Sequence, residues 1–490
     1  MKERSNNNWN AFYFYLCRHL IKNMFIQQLY TGCLSEAAYF IESEGEVAII
    51  DPLRDTDEYV QLAKEKNAGI KYIFETHFHA DFVSGHIDLS NKTGAPIIFG
   101  PGAKTKYNVH EAKDGEVFKL GKLTIEVLHT PGHTLESSCY LLRDENDKPH
   151  AIFTGDTLFV GDVGRPDLSS GEMSSEELAG IMYETIQNKI LPLADEVIVY
   201  PAHGAGSSCG KNLGSETFST IGEQKLTNYA LQPQTKEDFV KAVTEGLGTA
   251  PKYFAVNAKI NMQGYNSLDE VKHNGLTALK IDAFKQLVKE DAIILDTRHA
   301  SVFTQGFIPG SVFIGLEGRF AEWAGSLLPF DKSILLITEP GKEEETVVRL
   351  SRVGFDKMKG YLNGGFEAWA TAGEKIDLII DIEADELAMD IPHDPNLVVV
   401  DVRRETEFAD GHVKDAQNLP LMEMTDIVNL ANFEDNQNLY VHCAGGYRSV
   451  IATSLLKRQG IHNVRNVLGG WAKIKEEKSI KVEKDASVLN

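Results

Sequence analysis

Short apolar runs separated by polar loops dominate the first half of the chain. Between residues 24 and about 270, β-like segments such as "AAYFIE", "EVAIID", "LTIEVLH" and "AIFTGD" recur, and most of them end beside a histidine or an aspartate. Helical patterns follow in "SSEELAGIMYETIQNKIL" and "TKEDFVKAVTEGL". Layered α/β proteins place their sites at strand ends, on a rigid scaffold. The pattern therefore predicts a layered α/β domain with its chemistry at the strand ends.

The rest of the chain contains an internal repeat. "LDTRHASVFTQGFIPGS" (295–311) aligns without gaps to "VDVRRETEFADGHVKDA" (400–416), and the same offset of 105 pairs the two glycines of "YLNGGFEAW" with those of "NVLGGWAKI". One constant offset predicts two copies of a domain of roughly 100 residues. Each copy alternates strands with helices, which favours an α/β fold with a parallel sheet covered by helices.

Length, charge and cysteine usage narrow the class of protein. The 490 residues suggest about three domains. A formal net charge of -22 argues against nucleic acid and anionic membranes as partners. The five cysteines are scattered without a CxxC pair, which fits a reducing cytoplasm. Residues 1–23 resemble a signal peptide only weakly. We expect a cytoplasmic protein that folds from about Met24, after a disordered or misassigned leader.

The second copy of the repeat carries a candidate thiol site. Its strand "NLYVH" leads into Cys443-Ala-Gly-Gly-Tyr-Arg448, and a helical segment follows. The backbone N–H groups at a helix start and the nearby Arg448 favour negative charge on the sulfur and on an anion attached to it. Four residues separate Cys443 from Arg448, one fewer than in cysteine phosphatases, and the tighter loop suits a single sulfur atom. With "DVRRETEFADGHVKDAQN" and "LGGW" on either side, residues 376–480 resemble a rhodanese-type sulfurtransferase domain. The resemblance implies that Cys443 carries a persulfide.

The first copy lacks this thiol. The offset of 105 places Thr338 at the position of Cys443 and Glu343 at the position of Arg448. Thr338 has no sulfur, Pro340 removes a backbone donor, and Glu343 carries the wrong charge. We expect residues 275–375 to form a rhodanese-like domain with a structural or docking role only.

The first half of the chain carries a candidate metal site. Four separated segments, "THFHAD", "TPGH", "FTGD" and "PAHG", supply His77, His79, Asp81, His133, Asp156 and His203. Buried histidines and aspartates are costly unless they have a partner, so four such segments indicate a metal centre. Together they resemble the metallo-β-lactamase fold, an αββα sandwich, over residues 24–270. Binuclear hydrolases of that fold, such as glyoxalase II, need a histidine directly after the aspartate of the first motif. Phe82 stands there instead, which predicts a site for one metal ion.

The donor types favour iron. Two histidines and one carboxylate with open positions suit Fe(II), which can then accept O2 and a substrate together. Within the superfamily this block resembles the persulfide dioxygenases most. The resemblance implies one Fe(II) per chain bound by His77, His133 and Asp156, with His79 and Asp81 orienting the groups around the metal.

The same resemblance suggests how a substrate is held. It assigns His203 to the persulfide and places Arg165, in "GDVGRPDL", near the carboxylates of a thiol cofactor; an ordinary surface ion pair is the alternative for Arg165. Cys209 lies six residues after His203 in a glycine- and serine-rich loop. Three roles are open for Cys209: it relays sulfur, it closes over the substrate, or it is a plain loop cysteine.

Residues 24–480 as a whole resemble the bacterial persulfide dioxygenase–rhodanese fusions. The resemblance implies that O2 oxidises a low-molecular-weight persulfide to sulfite and thiol, while Cys443 forms or uses thiosulfate in sulfide detoxification. Glutathione, coenzyme A, bacillithiol and cysteine remain open as the thiol carrier, and we expect a homo-oligomer. Three alternatives remain: a glyoxalase II-like binuclear-zinc thioester hydrolase fused to a sulfurtransferase, a sulfurtransferase with an inactive metal domain, and a binding scaffold with little turnover.

Overall fold

The computed structural model describes five stretches of the chain: residues 24–168, 173–211, 213–430, 433–434 and 436–485. The leader expected over residues 1–23 lies outside them. The described residues divide into two compact units. The first runs to Leu268 and also includes Ser351–Gly354, and the second contains the remaining residues from Asp269 onward.

Two six-stranded sheets form the first unit. The first sheet has its strands in chain order and consists of β1 (Phe25–Thr31), β2 (Glu36–Ser43), β3 (Glu46–Ile50), β4 (Gly69–Glu75), β5 (Ile97–Phe99) and β6 (His110–Glu111). The second has the order β12-β11-β10-β9-β8-β7 and consists of β7 (Val117–Leu120), β8 (Leu123–His129), β9 (Ser138–Arg143), β10 (Pro149–Gly155), β11 (Ile198–Pro201) and β12 (Ser219–Thr220).

Successive side chains of a strand point to opposite faces of its sheet, and this alternation produces the layers of the sandwich. On β2, Tyr39 and Ile41 belong to the core between the two sheets. Ala38 and Phe40, which point to the opposite face, pack in the outer core with Tyr59. The helices of this unit are α1 (Asp57–Glu65), α2 (His86–Thr93), α3 (Ser175–Thr185, continued by a π-helical turn at Ile186–Ile190), α4 (Ile221–Thr227), a 3-10 turn (Tyr229–Leu231), α5 (Lys236–Thr244) and α6 (Tyr253–Gln263). The αββα sandwich predicted from the sequence is confirmed.

The second unit contains the two copies of the repeat. The first copy has a parallel five-stranded sheet in the order β13-β17-β16-β14-β15: β13 (Ala278–Leu279), β14 (Ile293–Asp296), β15 (Val312–Phe313), β16 (Ile334–Ile337) and β17 (Met358–Leu362). The second has the order β18-β23-β22-β19-β21: β18 (Ile380–Ile382), β19 (Leu397–Asp401), β21 (Gln417–Asn418), β22 (Asn438–His442) and β23 (Val464–Val467), with β20 (His412–Val413) and β24 (Val482–Glu483) as a separate pair. The identical strand order confirms the repeat.

Helices cover both of these sheets. They are α7 (Leu268–Gly275), α8 (Ile281–Lys289), α9 (Ala300–Gln305), α10 (Phe320–Leu327), α11 (Glu343–Ser351), α12 (Gly365–Thr371), α13 (Ala384–Asp390), α14 (Glu405–Ala409), a 3-10 turn (Leu421–Glu423), α15 (Ile427–Leu430), α16 (Tyr447–Arg458) and α17 (Gly470–Ile474). Helix α16 contacts the first copy, where the Phe313 amide donates to Ser454 Oγ at 3.0 Å and the Tyr447 hydroxyl donates to the Gly315 carbonyl at 2.7 Å.

None of the helices within these described stretches combines the length and apolar character needed to cross a bilayer.

Candidate metal centre and thiol loop

Strand direction brings the metal-site segments of the second sheet together. Strands β8 and β10 are each antiparallel to β9, so they run the same way, and β11 is parallel to β10. The residues that follow these three strands therefore emerge at one edge of the sheet. They include His133, Asp156 and His203, and His77 joins them from the end of β4.

Three of the predicted metal ligands form a buried donor group. His77, His133 and Asp156 each offer one donor atom, and these atoms lie within 4.8 Å of one another. Asp156 Oδ2 is 3.4 Å from His133 Nε2 and 3.9 Å from His77 Nε2. Neither Asp156 oxygen has a hydrogen-bond partner among the described residues. Because an ionised carboxylate is costly to bury without compensation, the group fits a bound cation.

The imidazoles of this group are oriented by hydrogen bonds at their far nitrogens. His133 Nδ1 lies 2.8 Å from the Arg165 carbonyl, and His77 Nδ1 lies 3.0 Å from Thr76 Oγ1. The Thr76 hydroxyl donates to Asp51 at 2.8 Å, so it accepts the proton of His77. Both rings therefore present the lone pair of Nε2 to the centre. Burial and the neighbouring imidazoles lower the pKa of His77 well below its usual value, which favours the neutral, metal-binding form.

Glycines allow the backbone to approach this group. Gly155, directly before Asp156, has a φ of +51°, and a Cβ there would lie 2.5 Å from Thr76 Oγ1. A Cβ at Gly164 would collide with the Asp156 carbonyl oxygen. Each glycine is thus required by close packing around a donor residue.

A second donor group lies beside the first. Asp81, His203 and Cys209 offer donor atoms within 4.8 Å of one another, and all three residues are buried. His203 Nε2 is 3.3 Å from Asp81 Oδ2 and 3.5 Å from Asp156 Oδ1. Asp156 of the first group therefore lies next to the second group. Burial and the carboxylates of Asp81 and Asp156 raise the pKa of the Cys209 thiol well above its usual value.

Phe82 and His79 sit side by side near the second group. The Phe82 ring is fully buried and its centroid lies 4.3 Å from that of His79. His79 Nε2 faces carboxylates, at 3.1 Å from Asp51 and 3.7 Å from Glu75. Burial lowers the pKa of His79, but Asp51, Glu75 and Asp81 outweigh it and raise the pKa to about 10. His79 thus groups with Asp51 and Glu75 rather than with the first donor group.

Arg165 is buried and already paired. Its guanidinium contacts the Asp167 carboxylate at 2.6 and 2.7 Å and donates to the carbonyls of Ser208 and Gly248. The Arg165 amide also donates to the Cys209 carbonyl at 2.9 Å. Arg165 therefore holds the loop that carries Cys209. Because Arg165 is buried, it is not the ordinary surface ion pair that was the alternative. Its role toward a cofactor carboxylate stays a prediction.

The thiol loop of the second copy places one backbone N–H donor and one hydroxyl next to the Cys443 sulfur. Cys443 follows β22 directly and is 1% exposed. The Gly446 amide donates to Cys443 Sγ at 3.1 Å, and Ser449 Oγ lies 3.7 Å from the sulfur. Gly446 adopts a φ of +103°, which turns the chain sharply into α16. The loop and helix start thus stabilise negative charge at this sulfur.

Arg448 pairs with a carboxylate rather than with the sulfur. Its two terminal nitrogens each lie 2.8 Å from a Glu407 oxygen. The Arg448 hydrogen bonds outweigh the effect of burial and lower the pKa of Glu407 to about 2. Glu407 therefore neutralises this guanidinium, and the pair fastens the thiol loop to α14, while the Gly446 amide bonds directly to the sulfur.

The first copy retains the loop shape without its chemistry. Thr338 follows β16 and is buried. Gly341, at the position of Gly446, also has a positive φ, +82°. The position of Arg448 is Glu343, and that of Glu407 is Val302, which is 44% exposed. Both members of the ion pair are therefore replaced.

Four further residues belong to these sites, and the sequence motifs did not predict them. Asp51 and Thr76 anchor His79 and His77, Glu407 pairs with Arg448, and Glu36 is fully buried with neither carboxylate oxygen hydrogen-bonded among the described residues. Burial raises the pKa of Glu36 well above its usual value. Asp51 ends the run "EVAIID" and could have been found from its strand-end position, whereas no sequence pattern points to Glu36.

Family models match both parts of the chain. A model described as "Metallo-beta-lactamase superfamily" matches residues 31–203, and one described as "Rhodanese-like domain" matches residues 280–372 and 383–477. These matches agree with the sandwich and with the two copies of the repeat.

Proteins similar to this chain carry names that describe differing activities. A probable hydroxyacylglutathione hydrolase of Schizosaccharomyces pombe is 32% identical over 186 residues, 37% of this chain and 68% of that protein. A mitochondrial persulfide dioxygenase of Homo sapiens is 29% identical over 198 residues, 40% of this chain and 70% of its own. A crystal structure of a metallo-beta-lactamase from Staphylococcus aureus superposes with a TM-score of 0.63 at 34% identity, covering 70% of this chain and 99% of that one.

Proposed function

Because the chain belongs to the metallo-beta-lactamase superfamily and carries two C-terminal rhodanese-like domains, we propose that it is a persulfide dioxygenase joined to a sulfurtransferase. Its first unit oxidises a low-molecular-weight persulfide with O2 and water to sulfite and the free thiol. Its second copy of the repeat transfers sulfane sulfur between a persulfide and sulfite. The two reactions together would remove the sulfane sulfur of the persulfide, as part of sulfide detoxification.

One observation carries the dioxygenase proposal. The first donor group offers two imidazoles and one carboxylate, a set that fits a single Fe(II) with open positions. The second group lacks the histidine that a glyoxalase II-type centre requires, because Phe82 occupies that place. An Fe(II) bound by His77, His133 and Asp156 would supply a centre at which persulfide and O2 react.

The residues around this centre hold and orient its components. Thr76 and the Arg165 carbonyl fix the two imidazoles. His203 and Cys209 lie beside Asp156 on the other side, where they can contact the terminal sulfur of the persulfide. The buried surroundings exclude bulk water from the reacting sulfur.

The sulfurtransferase step uses Cys443. The Cys443 thiolate attacks the outer sulfur of a persulfide, forms a cysteine persulfide and releases the thiol carrier. Sulfite then attacks the outer sulfur, which leaves as thiosulfate and regenerates the thiolate. The Gly446 amide and the start of α16 stabilise the anion on Cys443 in both steps. The reverse direction uses the same groups.

We place this activity in the cytoplasm, in agreement with the scattered cysteines. We propose as partners a persulfide of glutathione, coenzyme A, bacillithiol or cysteine, together with O2, sulfite and a further copy of the chain.

A thioester hydrolase is the second candidate. The hydroxyacylglutathione hydrolase relative and the proximity of Asp81 to His203 favour it. It would require two zinc ions and would consume no O2.

The proposal is tested by separating the two activities. Asp156→Asn should lose iron and O2 uptake with glutathione persulfide or coenzyme A persulfide, while thiosulfate formation from persulfide and sulfite continues through Cys443. O2 uptake that persists in iron-free Asp156→Asn protein would contradict the proposal. The matched control is Asp147→Asn, because this aspartate is exposed on the loop between β9 and β10 and belongs to neither donor group.

A further inference from the structure

One side chain from a distant helix holds three backbone groups of the metal loop, residues 76–85, which lies between β4 and α2. The Asn261 side chain, on α6, donates from Nδ2 to the carbonyls of His79 and Phe82, at 2.8 Å each. Its Oδ1 accepts from the Ser84 amide at 3.0 Å. Both N–H groups and the oxygen of this side-chain amide are therefore engaged in holding the loop.

Asparagine is the residue type that this arrangement requires. Asn261 is 1% exposed, and backbone N–H and C=O groups inside a protein need a partner. An alanine would offer none, and an aspartate carboxylate would keep only the acceptor for the Ser84 amide. Loss of the side-chain amide would therefore release the metal loop at three points.

Helix α6 is itself fastened close to Asn261. The Tyr107 hydroxyl donates to the Asn261 carbonyl at 2.6 Å. The Tyr265 hydroxyl, beyond the end of the helix, donates to the Ser84 carbonyl. Asn261 lies outside residues 31–203, which the superfamily model matches. The metal loop thus depends on a helix beyond the matched part of the chain.

The path of the loop backbone determines which histidine faces the first donor group. The ring centroids of His77 and His79 lie 4.2 Å apart. Only His77 belongs to the first donor group, whereas His79 Nε2 faces Asp51 at 3.1 Å. Metal sites need supporting contacts of this kind to hold each ligand in position. A fixed His79 carbonyl therefore maintains the division between the two imidazoles.

We propose that Asn261 is a positioning residue of the metal centre, whose amide fixes the loop so that His77 reaches the metal while His79 stays with Asp51. Asn261 acts through the loop and supplies no donor atom to the metal. The effect on metal binding rests on these contacts alone, whereas the effect on O2 uptake rests on the proposed function.

Two buried asparagines on one face of α6 give a matched pair of variants. Asn257 lies one turn before Asn261 and is 0% exposed, but its amide makes no hydrogen bond within the described part of the chain. In the metal-free full chain, Asn261→Ala should bind one equivalent of cobalt(II) at least about 10-fold more weakly and shift the visible cobalt bands. Asn257→Ala removes the same atoms and should change neither. Parent-like cobalt binding by Asn261→Ala protein, or equal changes in both variants, would overturn the proposal.

Asn261→Asp decides the matter if Asn261→Ala protein does not fold. It keeps the shape of the side chain and removes the two donors, so it should also weaken cobalt binding and shift the bands. In iron-loaded variants, kcat for O2 uptake should fall at least about 10-fold while KM for glutathione persulfide stays within about twofold. A raised KM with unchanged kcat would contradict a positioning role. If the parent iron protein consumes no O2, the proposed function fails while the cobalt result still decides the role of Asn261.

Discussion

The two copies of the repeat share a scaffold and differ in the chemistry of the thiol loop. In each copy an arginine two residues after a buried aspartate pairs with it and donates to a glycine carbonyl: Arg298 with Asp296 and Gly306, Arg403 with Asp401 and Gly411. Each guanidinium also lies over an aromatic ring, at 4.4 and 4.6 Å from the centroid. The repeated motif therefore maintains the fold, and the chemistry resides in the residues where the copies differ.

The altered loop leaves the first copy with a supporting role. Helix α16 begins at the thiol loop, and its Tyr447 and Ser454 bond to the first copy at Gly315 and Phe313. The first copy thus holds the helix whose start stabilises the Cys443 anion. This arrangement fits the expectation of a structural role for the first copy.

Replacing the thiol should give the largest difference between the copies. Cys443→Ser should lower thiosulfate formation at least about 1000-fold, because the nucleophile is removed, while sulfite production continues. Thr338→Ser, at the corresponding position of the first copy, should change neither rate. Loss of sulfite production together with thiosulfate would show that the two sites depend on each other.

The arginine that both copies share should contribute equally to the folding stability of each copy. Arg298→Met and Arg403→Met should each lower the free energy of unfolding by about 3–5 kcal/mol, because each leaves a buried aspartate without its partner. Hydrogen exchange resolved by segment would locate the loss in the altered copy. A large effect in one copy with none in the other would contradict a common scaffold.

Introducing the thiol loop into the first copy tests whether a cysteine alone is sufficient for thiosulfate formation. In a Cys443→Ser background, Thr338→Cys should restore less than about 1% of thiosulfate formation, since the loop keeps Pro340 and lacks the ion pair. Adding Pro340→Gly, Glu343→Arg and Val302→Glu should raise the rate at least about 10-fold. A single Thr338→Cys change with full activity would mean that the loop environment contributes little.

The ion pair found only in the second copy should have the smallest effect. Glu407→Gln should cost about 1 kcal/mol of unfolding free energy near neutral pH, because a partly exposed pair is screened by solvent. The pKa of Glu407 is lowered from 4.5 to about 2, so its contribution is complete above about pH 4.5 and is lost as the pH falls through about 2. Denaturant titrations should show the difference between wild type and variant shrinking over that range.

Glu343→Gln serves as the control, because Glu343 occupies the position of Arg448 in the first copy. It should leave stability unchanged within about 0.5 kcal/mol. A difference between wild type and Glu407→Gln that grows on acidification would contradict the lowered pKa of Glu407.

Local patterns predicted the fold and the components of both sites, but not how the components pair. The constant offset of 105 anticipated two sheets of identical strand order. The strand-end motifs predicted a cluster of histidines and aspartates, and the resemblance to persulfide dioxygenases singled out His77, His133 and Asp156, which the structure brings together. The Arg448–Glu407 pair joins residues 41 positions apart, and the approach of Cys209 to Asp81 depends on a loop fixed by Arg165. Such contacts follow from the tertiary path of the chain, which no short motif encodes.

The most direct measurement compares iron-loaded and zinc-loaded protein in two assays. O2 uptake is recorded with glutathione persulfide or coenzyme A persulfide, and hydrolysis is recorded with a glutathione thioester. The account predicts rapid O2 uptake with one iron per chain and no thioester hydrolysis by either form. Thioester hydrolysis by protein holding two zinc ions, with no O2 uptake by the iron form, would contradict it and identify a hydrolase.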